Sequence, residues 1–328
     1  MVTGTAAALE AVLAPIRDDL EGVEAELARM LRSRAEPLEA LIAHVSRFSG
    51  KRLRPALTLL AARMFGDLRP EHRTVGAIVE LIHTATLVHD DILDESFLRR
   101  RVETINRRCG NETAVLLGDY LFATAFKEAA ALKDRFPARY LSDIVTVVCR
   151  GEILQVHHRN DPDLSEETYF RIIEDKTAAL YAAALRCGAV LSGAPPEQAE
   201  ILEAFGLRLG CAFQIIDDIL DLTGEESAVG KSLGTDLDKA KMTLPLLRVR
   251  AKASPADRAR MRDAIRAGTR EAREALRPLL REYDALGSAR ATAEALVDEA
   301  RTLLETLPDT PERAALRQAA EYVLARDR

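Results

Sequence analysis

Tryptophan is absent from this chain of 328 residues, and aromatic residues make up only 5% of it. Strand signatures, alternating β-branched and polar residues between turn dipeptides, persist nowhere. Ala- and Leu-rich stretches stand in their place and favour helices, so the expected fold is all-α. No uncharged apolar run is long enough to cross a bilayer. The stretch from Met1 to Glu10 lacks the basic start of a signal peptide, and a cytoplasmic location is expected. Cys109, Cys149, Cys187 and Cys211 form no Cys-x-x-Cys and no metal-ligand spacing, and read as small thiols of the core or its edge. The formal charge is −6 and the basic residues form no tail, which argues against nucleic acid as a partner.

What is present is a run of helical segments with enough hydrophobic residues, 48%, to bury a sizeable core. No composition break divides it, so residues 1–328 read as a single domain. Stretches 74–94 and 111–133 are apolar nearly all round and are expected to lie centrally. In 196–221, Ile201, Phe205, Leu209 and Ala212 recur at helical spacing. Ser165, Ser254 and Thr310 read as N-caps, the last two followed by proline. The longest apparent loop, roughly 223 to 240, has the length of a functional lid.

Two acidic clusters share the pattern Asp-Asp-x-x-Asp: Asp90, Asp91 and Asp94, then Asp217, Asp218 and Asp221. Helix positions four apart stack on one face, and like charges there are destabilising unless something positive offsets them. Hard divalent cations take oxygen ligands, and Mg²⁺ combines a few carboxylates with substrate phosphates and water. One such pattern is common on solvated helix faces. Two copies, each ending an apolar segment, point to metal.

Cations are scattered around these clusters. Lys51 and Arg54 stand three apart before an apolar helix, Arg99 and Arg100 follow the first cluster, Lys176-Thr177 opens a further helix, and Lys231 lies in the Gly-rich loop after the second. Arg107, Arg108, Arg326 and Arg328 read as solvated charges, and His157 and His158 as surface or core residues. His89 adjoins Asp90 but points to another helix face. Glu152 and Gln155 stand one turn apart, with packing, second-shell hydrogen bonding or direct contact all open.

Taken in order, Gly50 to Pro55, Leu81 to Asp91, Arg99-Arg100, Gly118-Asp119-Tyr120, Gly151 to Gln155, Lys176-Thr177, Phe213 to Asp218 and Gly230 to Asp236 resemble the trans-isoprenyl (polyprenyl) diphosphate synthase family over most of the chain. That resemblance implies a single large helical bundle around a central cavity, the isoprenoid synthase fold, usually as a homodimer. It implies that the six aspartates bind three Mg²⁺ gripping an allylic diphosphate, with Lys176, Lys231 and Arg99 adding contacts. Lys51, Arg54, His83 and Arg100 would hold isopentenyl diphosphate. Thr177, Gln214 and Phe213 would face the developing allylic cation, and Lys241 would assist the lid. Many relatives read Arg-Arg-Gly where this chain has Arg99-Arg100-Arg101, which changes the turn options there.

The implied reaction is a head-to-tail condensation of the two diphosphates that releases diphosphate. Negative charge gathers on the leaving group, and metal and cations placed there favour the transition state. One turn below the first cluster, at roughly 5.4 Å of depth, lie Ala85 and Thr86, both small, with Ile82 beneath. Small residues there leave a passage, so the expected product is geranylgeranyl or longer. A terpene cyclase or head-to-head coupling enzyme is one alternative, but a cyclase needs no second diphosphate set. A non-catalytic partner subunit of a heteromeric synthase is another, and it would be expected to lose aspartates that this chain keeps.

Overall fold

The computed structural model describes residues 9–33, 35–48, 50–223, 239, 241–267 and 269–326. Helices α1 (Arg17–Met30) and α2 (Glu36–Val45) precede α3 (Leu53–Arg63) and the long α4 (Pro70–Leu93). A short α5 (Ile105–Cys109) leads to α6 (Asn111–Ala131) and α7 (Phe136–His157). Helix α8 (Glu166–Ile173) passes through a π-helical turn at Glu174–Ala178 into α9 (Ala179–Leu191), and α10 (Pro196–Thr223) follows. The chain continues through α11 (Leu244–Lys252), α12 (Pro255–Ala267), α13 (Arg270–Glu282), α14 (Ala285–Leu304) and α15 (Pro311–Leu324). The fold is all-α, as the composition predicts.

The three expected N-caps form. Ser165 Oγ accepts from Thr168 N at 3.0 Å, and Ser254 Oγ from Asp257 N at 3.2 Å. Thr310 Oγ1 accepts from Arg313 N at 3.2 Å. Each satisfies one of the donors a helix start leaves open.

One strand pairing does occur, against expectation: Leu98–Arg99 runs antiparallel to Val102–Glu103. Strands two residues long carry no readable alternation. Arg100 and Arg101 turn between them at φ 51° and 66°, and a two-residue hairpin turn of this kind needs positive φ at both positions. Arg101 therefore occupies a backbone state that glycine adopts without cost.

Helix α9 is the packing centre. Nearly every residue of its Ala-rich sequence is buried, and it contacts α3, α4, α7 and α10. Small side chains let backbones approach. A Cβ on Gly188 would lie 2.1 Å from the Thr58 carbonyl oxygen of α3, and one on Gly206 of α10 would lie 2.6 Å from Ala182 Cα. Helix α4 packs on α3, α6 and α9, and α10 packs on α9 and α14. The two helices that carry the acidic clusters thus flank one spine. No helix among the described residues is long and apolar enough to cross a membrane.

Because the carbonyl facing Gly188 belongs to helix backbone, Gly188→Ala should overpack this contact and cost about 1–3 kcal/mol. Urea unfolding of the variant beside the parent chain measures it, and an unchanged midpoint would contradict the spacing.

Candidate active site

Asp90 and Asp91 occupy the last turn of α4, and Asp94 is its C-cap. The C-terminal end of a helix carries partial negative charge, so acids here oppose the helix dipole as well as one another. Asp217, Asp218 and Asp221 lie in the last two turns of α10. Asp90, Asp94, Asp217 and Asp218 line one cavity of about 240 Å³. Asp91 and Asp221 are buried behind them, at 1% and 4% exposure.

The first cluster is met by cations from four separate elements. Arg99 of the hairpin holds Asp91 Oδ1 through Nη2 at 2.7 Å and Nε at 2.8 Å. Lys176 Nζ stands 3.7 Å from Asp90, donates to Gln155 Oε1 at 2.8 Å and pairs with Glu152. Lys241 Nζ reaches Asp94 Oδ1 at 3.0 Å, and Arg159 Nη2 reaches the same oxygen at 3.3 Å. Burial pushes the Asp94 carboxyl upward, but Lys241, Lys176 and Arg159 outweigh it and leave Asp94 below its ordinary value. At Asp91 burial prevails over Arg99 and the carboxyl is raised. Burial, then the nearby Asp90 charge, raises Glu152 as well.

In the second cluster Asp218 accepts from Tyr169 OH at 2.6 Å and from Gln214 Nε2 at 2.8 Å. Gln214 in turn accepts from Thr177 Oγ1 at 2.8 Å, which fixes the orientation of its amide. Arg326 Nη2 donates to Asp217 at 3.2 Å, and its guanidinium carbon lies 3.9 Å from the Phe213 ring centroid. The sequence reading left Arg326 in solvent. Tertiary folding instead returns the chain end to this helix, where the aromatic face and the carboxylate hold it.

The sequence predicts that Lys176 and Thr177 open a helix, and the structure corrects this. They occupy the π-helical turn between α8 and α9. The wide turn re-aims their side chains, and such bulges recur at functional sites. It is braced from α7. Arg150 grips Asp175 through two hydrogen bonds of 2.8 and 2.9 Å, and Gly151 packs so closely that a Cβ there would lie 2.5 Å from Lys176 N.

Arg54 and His83 line the same cavity. Arg54 stacks over Tyr181 at 4.3 Å, and Tyr181 packs against Phe213 at 5.5 Å. The intervening Arg52 turns away and pairs with Glu80 at 2.7 Å and Glu24 at 3.0 Å. Lys51 is exposed, 5.2 Å from the Tyr322 ring centroid, and Arg100 donates to the Phe48 carbonyl against Gly50. Neither Lys51 nor Arg100 is among the cavity's lining residues. Thr86 and Leu87 line it, whereas Ala85 and Ile82 are fully buried in the core and do not. Leu98, Ile172, Ile173 and Phe213 add apolar lining. Lys231 lies outside the described residues, as does nearly all of the expected lid.

Sequence reasoning missed Arg159 and Tyr169 and left Glu152 and Gln155 open; all four touch the site. His89, by contrast, points away as expected, its Nε2 donating to the Val115 carbonyl oxygen at 3.1 Å. Asp91 Oδ2 is a buried oxygen with no hydrogen-bond partner among the described residues. Such an oxygen in a set made of carboxylates suits a hard divalent cation. Among the described residues no three acidic, histidine or cysteine side chains gather closely enough to wrap a cation alone. A cation here would need further oxygen ligands from substrate and water, the habit of Mg²⁺.

A mouth of carboxylates from two helices, ringed by cations and backed by apolar side chains, suits a ligand with an anionic head and a hydrocarbon tail. The chain belongs to the polyprenyl synthetase family, whose model matches residues 35–282. It is 40% identical over 313 residues to the octaprenyl diphosphate synthase of Escherichia coli strain K12, covering 94% of this chain and 96% of that one. A polyprenyl synthase of Caulobacter crescentus CB15, solved with calcium and isoprenyl diphosphate, superposes with a TM-score of 0.94 at 34% identity over 98% of both chains. A decaprenyl diphosphate synthase of Rhodobacter capsulatus gives 0.91 at 37% identity, over 98% of this chain and 99% of its own.

His83 is held neutral in the folded chain, its pKa driven well below the usual value by burial and then by Arg54, Arg100, Arg99 and Arg52. Unfolded, it binds a proton below about pH 6.5. Stability should therefore fall as pH drops below that value, because the unfolded chain takes up the extra proton. His83→Gln should remove up to roughly 1.4 kcal/mol per pH unit of that slope between about pH 6.5 and 5. Urea unfolding across this range tests it, and parallel curves for the two proteins would refute it.

Proposed function

We propose that this protein is a trans-prenyltransferase that condenses isopentenyl diphosphate with an allylic diphosphate and builds a medium- to long-chain polyprenyl diphosphate. The observation that carries this reading is that aspartates from two helices more than 120 residues apart line one cavity together with Lys176, Arg99, Arg54 and His83. The named relatives make octaprenyl and decaprenyl diphosphates, which favours a product beyond geranylgeranyl.

Asp90, Asp94, Asp217 and Asp218 would hold divalent cations, three Mg²⁺ in all, with Asp91 and Asp221 completing the donor set. Bound there, Mg²⁺ supplies positive charge that stabilises the leaving diphosphate. Lys176 and Arg99 meet the same group directly. Lys176 needs no rearrangement for this, since Glu152, Gln155 and the π-helical turn already aim it. Arg54, joined by Lys51 and Arg100 from outside the cavity lining, would receive the second diphosphate, to which neutral His83 offers an N–H without adding charge.

The Thr177 hydroxyl donates to Gln214, so Thr177 Oγ1 and the amide oxygen present electron-rich atoms to a developing allylic cation. Phe213 adds a ring face. The double bond of isopentenyl diphosphate attacks that cation, and the released diphosphate takes the proton. Apolar lining excludes water, which would otherwise quench the cation. The core, unbroken from Val12 to Val323, supports one domain. Val115 and Leu116 on α6, and Ile153 and Val156 on the adjacent α7, are exposed apolar side chains, which supports burial against a second copy in a homodimer.

Incubation with isopentenyl diphosphate, a series of allylic primers and Mg²⁺, followed by product sizing, should give prenyl chains beyond twenty carbons. Chelation should abolish turnover, and Asp90→Ala should lower kcat by roughly 10²–10³-fold or more. Activity that survives chelation would overturn the reading. In the same assay Thr86→Phe should shorten the product by at least one five-carbon unit, because Thr86 is where the helix behind the first cluster meets the cavity. Unchanged length would remove Thr86 from the growth path.

A further inference from the structure

Arg159 arrives at the first acidic cluster from outside every motif that the sequence marks. It follows the end of α7 and is followed by Asn160 in the left-handed backbone region, φ 60°. The turn is braced on both sides. His158 Nδ1 contacts Asp161 Oδ2 at 2.9 Å, and Arg250 donates to the carbonyls of Pro162 and Leu164, each at 2.6 Å. Arg159 is thus held in place, four-fifths buried, with Nη2 3.3 Å from Asp94.

Asp94 Oδ1 already takes Lys241 at 3.0 Å. Two cations on one carboxylate oxygen repel each other, and the second gains less than the first. A guanidinium carries five N–H donors. Here one nitrogen reaches Asp94, while Nε is buried without a hydrogen-bond partner. Among the described residues no second carboxylate pairs with these donors; exposed Glu95 feels the charge of Arg159 but is itself paired with Lys239. A diphosphate entering beside Asp94 would supply a second anion, and the planar fork of arginine matches phosphate oxygens.

Resting on the function proposed above, we infer that Arg159 is a diphosphate-binding residue that holds Asp94 in the free enzyme and exchanges it for a phosphate oxygen when the anion arrives with its metal. Two opposed consequences follow. A divalent cation alone must displace Arg159 from Asp94, so Arg159 weakens its binding. A cation together with diphosphate gives Arg159 a new partner, so Arg159 strengthens it. A residue that merely props the fold would move both affinities the same way, or neither.

The test is titration calorimetry of the full-length protein with Mn²⁺ alone, and with inorganic diphosphate at saturating Mn²⁺, for the parent chain, Arg159→Gln and Arg159→Lys. Arg159→Gln should bind Mn²⁺ alone about 3-fold more tightly and diphosphate about 10-fold or more weakly, the scale of a charge-assisted hydrogen bond. Arg159→Lys should recover most of the diphosphate affinity. Affinities that fall together, or do not change, overturn the role given to Arg159. Failure of the parent chain itself to bind diphosphate with Mn²⁺ would instead remove the function on which the inference rests. Thermal melts of the three proteins identify a variant that has lost its fold. Should Arg159→Gln be lost, Arg159→Lys carries the comparison alone, and a loss of diphosphate affinity of about 10-fold or more with that charge retained would count against the inference.

Discussion

Three carboxylates in the final turn of a helix are an electrostatic burden, and much of this structure can be read as the answer to it. Repulsion within the turn and the negative end of the helix dipole act in the same direction. The offsetting charges cannot come from the same helix, since its own face is already taken. They come from a hairpin, a π-helical turn, the turn after α7 and the segment before α11, in Arg99, Lys176, Arg159 and Lys241. The irregular features of the fold coincide with this delivery. The hairpin turns through two arginines at positive φ, and the wide turn interrupts an otherwise continuous helix where Lys176 must face inward.

Such delivery needs the helices to be close, and the close approach is set by small side chains. Helix α9 presents alanine and glycine where α3 and α10 cross it, so the backbones meet without intervening bulk. Gly151 does the same between α7 and the π-helical turn. A larger residue at these positions would move whole elements, and with them the ends that carry Asp94, Lys176 and Asp218. Composition and catalysis are linked here through geometry: the alanine-rich, aromatic-poor sequence permits a bundle tight enough for charges from distant segments to meet.

This division explains what was legible in the sequence. Asp90 with Asp94, and Asp217 with Asp221, are four apart, a local relation that helix periodicity exposes. The N-caps at Ser165, Ser254 and Thr310, and the long helices around 74–94, 111–133 and 196–221, are equally local. Arg159 on Asp94, Arg326 on Asp217 and Tyr169 on Asp218 are tertiary relations between residues 49 to 109 apart, and no period announces them. Arg326 looked like a solvated charge because only the return of the final helix brings it to Phe213. The π-helical turn was unreadable for a related reason. Its Glu-Asp-Lys-Thr-Ala sequence suits an ordinary helix, and contacts from Arg150 and Gly151 accompany the wider form.

The pairing of charges also bears on how the cavity would receive the diphosphate proposed above. Within 4 Å of the three carboxylates of the first cluster stand four cationic groups among the described residues, so that rim is not negative overall despite its aspartates. A diphosphate bound there, as proposed above, would meet ammonium and guanidinium groups that are already partly desolvated and already aimed. Their reorganisation was completed when the chain folded, which is the condition under which fixed charges lower a barrier most. In the proposed reading the aspartates would serve two ends: they would offer oxygen to a divalent cation, and they hold the basic side chains in register until an anion could replace them. An acidic cluster without its cations would bind metal but leave the anion to metal alone. Cations without the cluster would repel one another out of the cavity.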